Sequence, residues 1–565
     1  MIPSVPGDRA RRLADFLGDP LRPDGPLTYG RAVADDRRER FPGASLDALH
    51  DWGYSAHQVP EALGGRLASL EELFELGRVV AGRDPAVAVI ANSPVASAMP
   101  VWLAGTPAQR TEVARSVLNS ERVALGLTER DHGADLLSGE VTGHRTEAGY
   151  TVNGTKWLIN NIRLARFLCL LVREPDRQGL RSLTLLLIDL HELPSDSYEL
   201  LPKISTHGIR GADIAGIRFR DARVPASACV GRPGRGLELI AQALFVTRTL
   251  VPGLSLGALD TSLRCTVDFL RERRLYGGLA IDIPFVQDEL AAAYLDLSVA
   301  EVVGRTCVRA LHLLPDLAPV SSAVAKYLVP HLVESRMRAL STVLGARYFL
   351  REGHWAGIFE KMLRDVRLFS LFDGSEPVVL SALAAQASCL GEPDTDHHGA
   401  DRLFAPAGHP QHPLGAHTFP TVADEDPVTA GLEPVCTELT ARAAAEEDTD
   451  LHRAAELLRT LGGELYAEAE RSIDPRAEAG QRLGDRYARV FAAVCLARTW
   501  LAAPDGGPGV PAPWLAAGLV SLLRPGTRMG RATSRSLCAE LLRLHADGTS
   551  PYTMFPTDSR GSEAP

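Results

Sequence analysis

The hydrophobic spacing of this chain changes near Arg122 and again near Gly236, and these two changes restrict its fold more than any other feature. Residues 1–121 carry apolar positions at helical spacing, most clearly Leu70, Leu73, Leu76 and Val79 in ASLEELFELGRVVAG. The Gly64–Gly65 pair after VPEAL is placed to close a helix. From Arg122 the chain breaks into short β-type runs at 123–128, 149–154, 156–160, 167–172, 182–189 and 216–221, separated by Gly, Asn and Asp. Such runs predict a small antiparallel barrel or sandwich, and TEAG at 146–149 reads as a hairpin connection. Gly231, Gly234 and Gly236 then form a turn into long helical patterns. These run from 238 to 274, with a disturbance expected at Pro252, and over 285–313, 317–350 and 375–391.

The expected fold is therefore mostly α with a central β domain. The reading gives a helical N-terminal domain at 1–121, a β domain at 122–235 and a helical bundle at 236–395. A His- and Pro-rich linker follows at 396–430, then a second helical domain at 431–550 and a loose tail at 551–565. With 45% hydrophobic and 23% charged residues, a mostly disordered chain is excluded. No run of about 18 apolar residues occurs, so no membrane span is expected. The N-terminus lacks the apolar stretch of a secretory signal, and the expected location is cytoplasmic. A net charge of −10 argues against a nucleic-acid-binding surface.

The eight cysteines, at 169, 229, 265, 307, 389, 436, 495 and 538, form no CxxC pair and read as buried, reduced thiols. Only Lys156, Lys203, Lys326 and Lys361 are lysines; the Arg excess fits the coding bias of a GC-rich genome. His397, His398, His409, His412 and His417 cluster in the linker without rigid support, so no metal is assigned to them. The glycines of VGRPGRG are in the order GxxGxG, which is not a dinucleotide fingerprint, and no P-loop, HExxH or GxSxG motif occurs.

Five segments in fixed order carry the functional signal: LTERDHGAD (127–135), NGTKWLINN (153–161), RFRDARVPASACVGRPGRGLEL (218–239), RRLYGGLAIDIPFVQ (273–287) and LRDVRLFSLFDGSEPV (363–378). Together, over about residues 1–395, they resemble the acyl-CoA dehydrogenase family. The family patterns are roughly (L/V)TEPxAGSD, NGxKxxIxN, FxxVxVPxxxxxGxxGxG, RxxFGxxxxxxQ and LxRDxxxxxIYEGT.

The resemblance implies a helical domain, a β domain and a four-helix bundle, with FAD between the last two and partly served by a neighbouring subunit. It implies that Leu127 and Thr128 line the flavin pyrimidine, that Trp157 or Leu158 packs on the flavin, and that Asn160 stands near N5. Arg273 would meet the pyrophosphate of the neighbour's FAD, Tyr276 the adenine, and Gln287 and Gly345 would help hold the dinucleotide; Ser375 joins the cofactor-binding positions. Arg248 falls where the family keeps an active-site Arg, and Ala134 where a Ser often touches pantetheine.

The implied base is Asp373, where the family has Glu. Asp is shorter by one C–C bond, about 1.5 Å. The helical alternative used by some relatives is Thr247 here, and Glu376 is the remaining nearby carboxylate. The implied activity is FAD-dependent α,β-dehydrogenation of an acyl thioester of CoA or a carrier protein, in specialised biosynthesis. The electron acceptor is an electron-transfer flavoprotein or O₂, and the second case would make the protein an oxidase. A catalytically retired partner protein is the alternative outside enzymes. The added C-terminal helices favour a homodimer.

Overall fold

A computed structural model of the protein describes residues 7–390, 398–404, 419–502 and 510–554. Seven helices come first: α1 (Asp8–Leu17), α2 (Tyr29–Arg37), α3 (Gly43–Trp52), α4 (Leu70–Ala81), α5 (Pro85–Ala91), α6 (Ser93–Ala104) and α7 (Pro107–Leu118). Side-chain caps set several starts. The Ser69 hydroxyl accepts from the N–H of Glu71 and Glu72, and Thr106 with Gln109 forms a reciprocal capping box. The 59–65 segment is a 3₁₀ turn at Glu61–Leu63 rather than a closed helix; Gly64 ends it at φ +86°, and Pro60 and Leu67 form a β-bridge.

The strands are β1 (Arg122–Gly126), β2 (Thr142–Thr146), β3 (Gly149–Asn160), β4 (Ala165–Arg173), β5 (Leu183–Asp189), β6 (Tyr198–Leu200) and β7 (Ile214–Pro225). They form one curled sheet of order β1-β4-β2-β3-β7-β6, with β5 on β4. The expected β2–β3 hairpin is present, Thr146 opposite Gly149. The sheet is mixed rather than antiparallel: β1 pairs parallel with β4, and β2 touches β4 in parallel at Thr142–Arg173. The two runs at 149–160 are one strand, whose register with β7 slips between Val152 and Gly154 and between Lys156 and Ile159.

Helices α8 (Gly236–Glu272), α9 (Pro284–Leu313), α10 (Ala318–Leu344), α11 (Ile358–Asp365) and α12 (Glu376–Ala385) follow. Helix α8 runs through Pro252 without a break. Its interior is buried along most of its length, so packing on α4, α9 and α10 outweighs the one lost hydrogen bond. The crossing with α4 is close: a Cβ at Gly257 would stand 2.2 Å from the Arg78 carbonyl oxygen, and one at Gly253 would stand 2.6 Å from that of Phe74. Two apolar stretches, Pro85–Ala104 and α8, are long enough to cross a bilayer, yet 72% of each window is buried inside the protein. The 317–350 pattern ends as a helix at Leu344 and continues as a 3₁₀ turn over Gly345–Phe349.

A short helix α13 (His398–Asp401) precedes α14 (Leu432–Ala445), α15 (Thr449–Ala469), α16 (Glu478–Leu501), α17 (Ala512–Leu523) and α18 (Arg531–Ala546). Helix α16 packs directly on α12, where a Cβ at Gly484 would stand 2.4 Å from the Leu380 carbonyl oxygen. The described end of the linker is packed rather than free. Phe419 is buried edge-on to Phe245, and Gln242 Nε2 donates to its carbonyl at 2.8 Å. His397, His409, His412 and His417 lie outside the described residues, as does the side chain of His398. The start of the tail is anchored too: Tyr552 is buried, its N–H donates to Asp260, and the Arg264 guanidinium lies 3.7 Å over its ring. All eight cysteines are free thiols, seven of them buried.

Candidate active site

The LFDGS segment makes a sharp turn between a 3₁₀ stretch at Val366–Ser370 and α12. Asp373 has φ +56° and Gly374 φ +114°. Among non-glycine residues Asp tolerates the left-handed region comparatively well. Gly374 suits this conformation, and a Cβ there would stand in tight contact 3.0 Å from Arg248 Nη2. Arg248 Nε donates to the Asp373 carbonyl oxygen at 2.7 Å. Arg248 thus holds the backbone of the turn, a contact its assignment to substrate did not include. Ser375, the next residue of the segment, supplies the carbonyl that accepts from Val378 and Val379 at the start of α12.

Asp373 is partly exposed as a residue, but protein encloses its carboxyl group. Burial pushes its pKa upward, against the Lys326 ammonium, a Thr247 hydrogen bond and the Arg248 charge, and the net shift is up. Burial lowers Lys326 to about 8, a fall limited by Asp373 and reinforced by Arg248. Burial also lowers Arg248, with Asp373 opposing. Glu376 faces away: its side chain is exposed and lies 3.5 Å from His331.

A second group of expected residues gathers at the edge of the sheet. Leu127 and Thr128 follow β1, and Trp157 N donates to the Thr128 carbonyl at 2.8 Å. A buried ion pair sets this edge: Lys156 Nζ donates to Glu129 Oε1 at 2.7 Å and to the Leu127 carbonyl at 2.9 Å. Glu129 also accepts from the N–H of Glu140 and Val141. Burial raises the Glu129 pKa, but Lys156 and these N–H groups outweigh it, so the carboxyl sits below its ordinary range. Burial lowers the Lys156 pKa despite Glu129. The pair was missed in the sequence, although it explains why Glu follows Thr128 and Lys precedes Trp157. Arg130 lies 5.8 Å from the Trp157 ring. Leu158 is exposed at φ +53°. Asn160 donates weakly to the Val89 carbonyl, and its Oδ1 is buried without a hydrogen-bond partner. Ala134 sits on the exposed loop after Arg130.

The third group lies elsewhere. Helix α8, 37 residues and about 55 Å long, begins against β5 and ends beside Arg273. Tyr276 is 98% exposed at the tip of the small hairpin that follows. Helices α9 and α10 run antiparallel, which brings Gln287 and Gly345 to this same end of the bundle. Gly345 has φ +62° and open space around its Cβ direction.

An exposed Leu at positive φ beside an orphaned buried carbonyl oxygen at Asn160 fits one face of a flat, hydrogen-bonding ring system. Among the described residues the Arg273 side chain has no hydrogen-bond or ion-pair partner and Tyr276 is exposed, so both are open to a ligand such as a dinucleotide. Among the described residues no group of three or more His, Cys, Asp or Glu is arranged to hold a metal ion.

The family profile "Acyl-CoA dehydrogenase, middle domain" matches residues 124–222, and "Acyl-CoA dehydrogenase, C-terminal domain" matches residues 234–388. A probable acyl-CoA dehydrogenase of Mycobacterium leprae is 24% identical over 348 residues, which is 61% of this chain and 87% of that protein. The structure of butyryl-CoA dehydrogenase from Megasphaera elsdenii superposes with a TM-score of 0.60 at 19% identity, covering 66% of this chain and 97% of that one. The prolyl acyl carrier protein oxidase AnaB superposes with a TM-score of 0.58 at 18% identity, covering 66% and 97%.

Proposed function

From residue 124 to residue 388 the chain belongs to the acyl-CoA dehydrogenase family of oxidoreductases, and from that premise we propose that it dehydrogenates an acyl thioester to the enoyl thioester with Asp373 as base. The observation that carries the proposal is the enclosed Asp373 carboxyl, set on a left-handed turn between Thr247–Arg248 and Lys326.

In this reading the Asp373 carboxylate takes the α-proton. The electrons of that C–H bond form the new double bond, and the β-hydrogen leaves with its electron pair. FAD, when bound, supplies the acceptor for that hydride. Leu127, Thr128, Trp157, Leu158, Asn160 and Ser375 would hold the flavin end, and Arg273, Tyr276, Gln287 and Gly345 the dinucleotide of a second subunit. Enclosure makes the carboxylate more basic than it is in water. Arg248 keeps the turn in place, and the Glu129–Lys156 pair keeps the Leu127–Thr128 edge in place.

The finer reading is a carrier-protein thioester as substrate in a biosynthetic setting, supported by AnaB being an acyl carrier protein oxidase. An electron-transfer protein would then be the acceptor in a dehydrogenase, and O₂ in an oxidase. The test is anaerobic titration of flavin-loaded protein with a panel of acyl-CoA and acyl-carrier-protein thioesters. Bleaching by at least one member is expected. Flavin that stays oxidised across the panel would overturn the proposal in favour of a catalytically retired protein. Peroxide release in air would make the enzyme an oxidase.

A further inference from the structure

Lys326 is the one lysine beside Asp373, and the proton and hydride transfers proposed for the site do not use it. Its side chain is 2% exposed on α10. Nζ donates to the Phe369 carbonyl at 2.7 Å, and among the described residues this is its one hydrogen bond. It also stands 5.4 Å from the centre of the Phe372 ring, and the Phe369 and Phe372 rings lie 6.3 Å apart. Lys326 therefore grips the two aromatic residues that lead into Asp373. A buried ammonium with a single carbonyl partner is costly, and a helix that only needed packing would be better served by Met or Leu here.

Other charges near the turn are already matched. Glu334 on α10 binds Arg367 and accepts from Ser370, and Glu376 on α12 faces His331. Asp485 on α16 accepts from Tyr327 and pairs with Arg489. From α8, Thr247 and Arg248 face Asp373 directly.

We propose that Lys326 is a positioning residue for proton transfer: its ammonium ties down the Phe369–Phe372 turn, and its charge keeps the Asp373 carboxyl in the ionised form that receives the α-proton. The inference rests on Asp373 being the base of an acyl-thioester dehydrogenase. The electrostatics agree, since Lys326 is the largest influence opposing the upward pull of burial on Asp373.

The experiment compares wild type with Lys326→Gln and Lys326→Arg, each loaded with FAD. Flavin content and melting temperature are recorded as controls. The rate of anaerobic flavin reduction by a thioester that bleaches the wild type is measured across pH. Gln keeps an N–H donor, one bond shorter than Lys, but carries no charge. Its acid limb should move up by roughly one pH unit or more, as loss of a nearby opposite charge requires. Arg keeps the charge, and its acid limb should stay at the wild-type position. A folded, yellow Lys326→Gln protein with an unmoved limb would show that Lys326 is structural only. A shifted limb in Lys326→Arg would equally contradict the charge account, and it can be read even if the Gln variant does not fold. Wild-type flavin that no thioester reduces is a separate outcome, which removes the dehydrogenase reading itself.

Discussion

Arg248 Nε donates to the backbone carbonyl of Asp373 at 2.7 Å, so the cation of α8 holds the main chain of the turn rather than pairing only with its carboxyl group. This bond fixes where the carboxyl starts. A misplacement of about 1 Å can cost about 100-fold in rate. Arg248→Ala should therefore bind FAD normally and reduce it about 100-fold more slowly. Stopped-flow reduction checks this, and an unchanged rate would free Arg248 from that role.

The Asp-for-Glu departure has a local reason. Asp373 sits at φ +56°, where a short polar side chain is tolerated better than a longer one, and its carboxyl is already enclosed by Thr247, Arg248 and Lys326. Asp373→Glu should therefore clash and slow flavin reduction by about tenfold or more. A rate at or above wild type would mean that the pocket has room for the longer base.

Acid should switch the enzyme off earlier than an ordinary Asp would. The Asp373 pKa is raised, and the base must be ionised. The reduction rate should fall as pH drops through a midpoint above about 3.9, the usual Asp value. A pH profile flat down to that value would contradict the raised pKa. Stability runs the opposite way: the protonated form of this group favours the fold at low pH, and that contribution is lost as pH rises through the raised value.

Much of this was legible before the structure. The switch at Arg122, the β2–β3 hairpin and the long helices follow from period and turn residues. The parallel pairing of β1 with β4 was not legible, because strand order depends on contacts distant in sequence. Pro252 misled because a local rule was outweighed by burial along α8. The tail looked loose by composition, yet Tyr552 docks on Asp260 and Arg264, far away in the chain. The lysines held an unread signal. Lys156 bonds Glu129, Lys203 bonds two backbone carbonyls, Lys326 bonds the Phe369 carbonyl and Lys361 bonds Asp84 and Asp365. In a chain that uses Arg almost everywhere, Lys156, Lys326 and Lys361 are positions where a slim ammonium reaches a buried acceptor.

Breaking the Glu129–Lys156 pair should harm the cofactor edge more than the chemistry. Lys156→Met leaves a buried carboxylate without its cation, a change worth about 3–5 kcal/mol. Denaturant unfolding should show that loss, and FAD retention after gel filtration should fall. A stable variant that keeps its flavin would contradict the assignment of this pair to the Leu127–Thr128 edge.

Arg273 and Tyr276 lie at the end of α8 opposite β5, and we propose that they serve the FAD of a second subunit. Light scattering of flavin-loaded protein should give a homodimer. Arg273→Ala should weaken FAD binding while leaving the Asp373 turn intact. A stable, flavin-loaded monomer would defeat this arrangement.

Asp373→Asn separates proton removal from folding, because Asn preserves shape and loses the basic oxygen. The measurement is the anaerobic flavin reduction rate with a thioester that bleaches the wild type. With Asp373 as base, the variant should be yellow and folded, and its reduction slower by about 10²–10⁴-fold. Reduction at the wild-type rate would show that Asp373 is not the base.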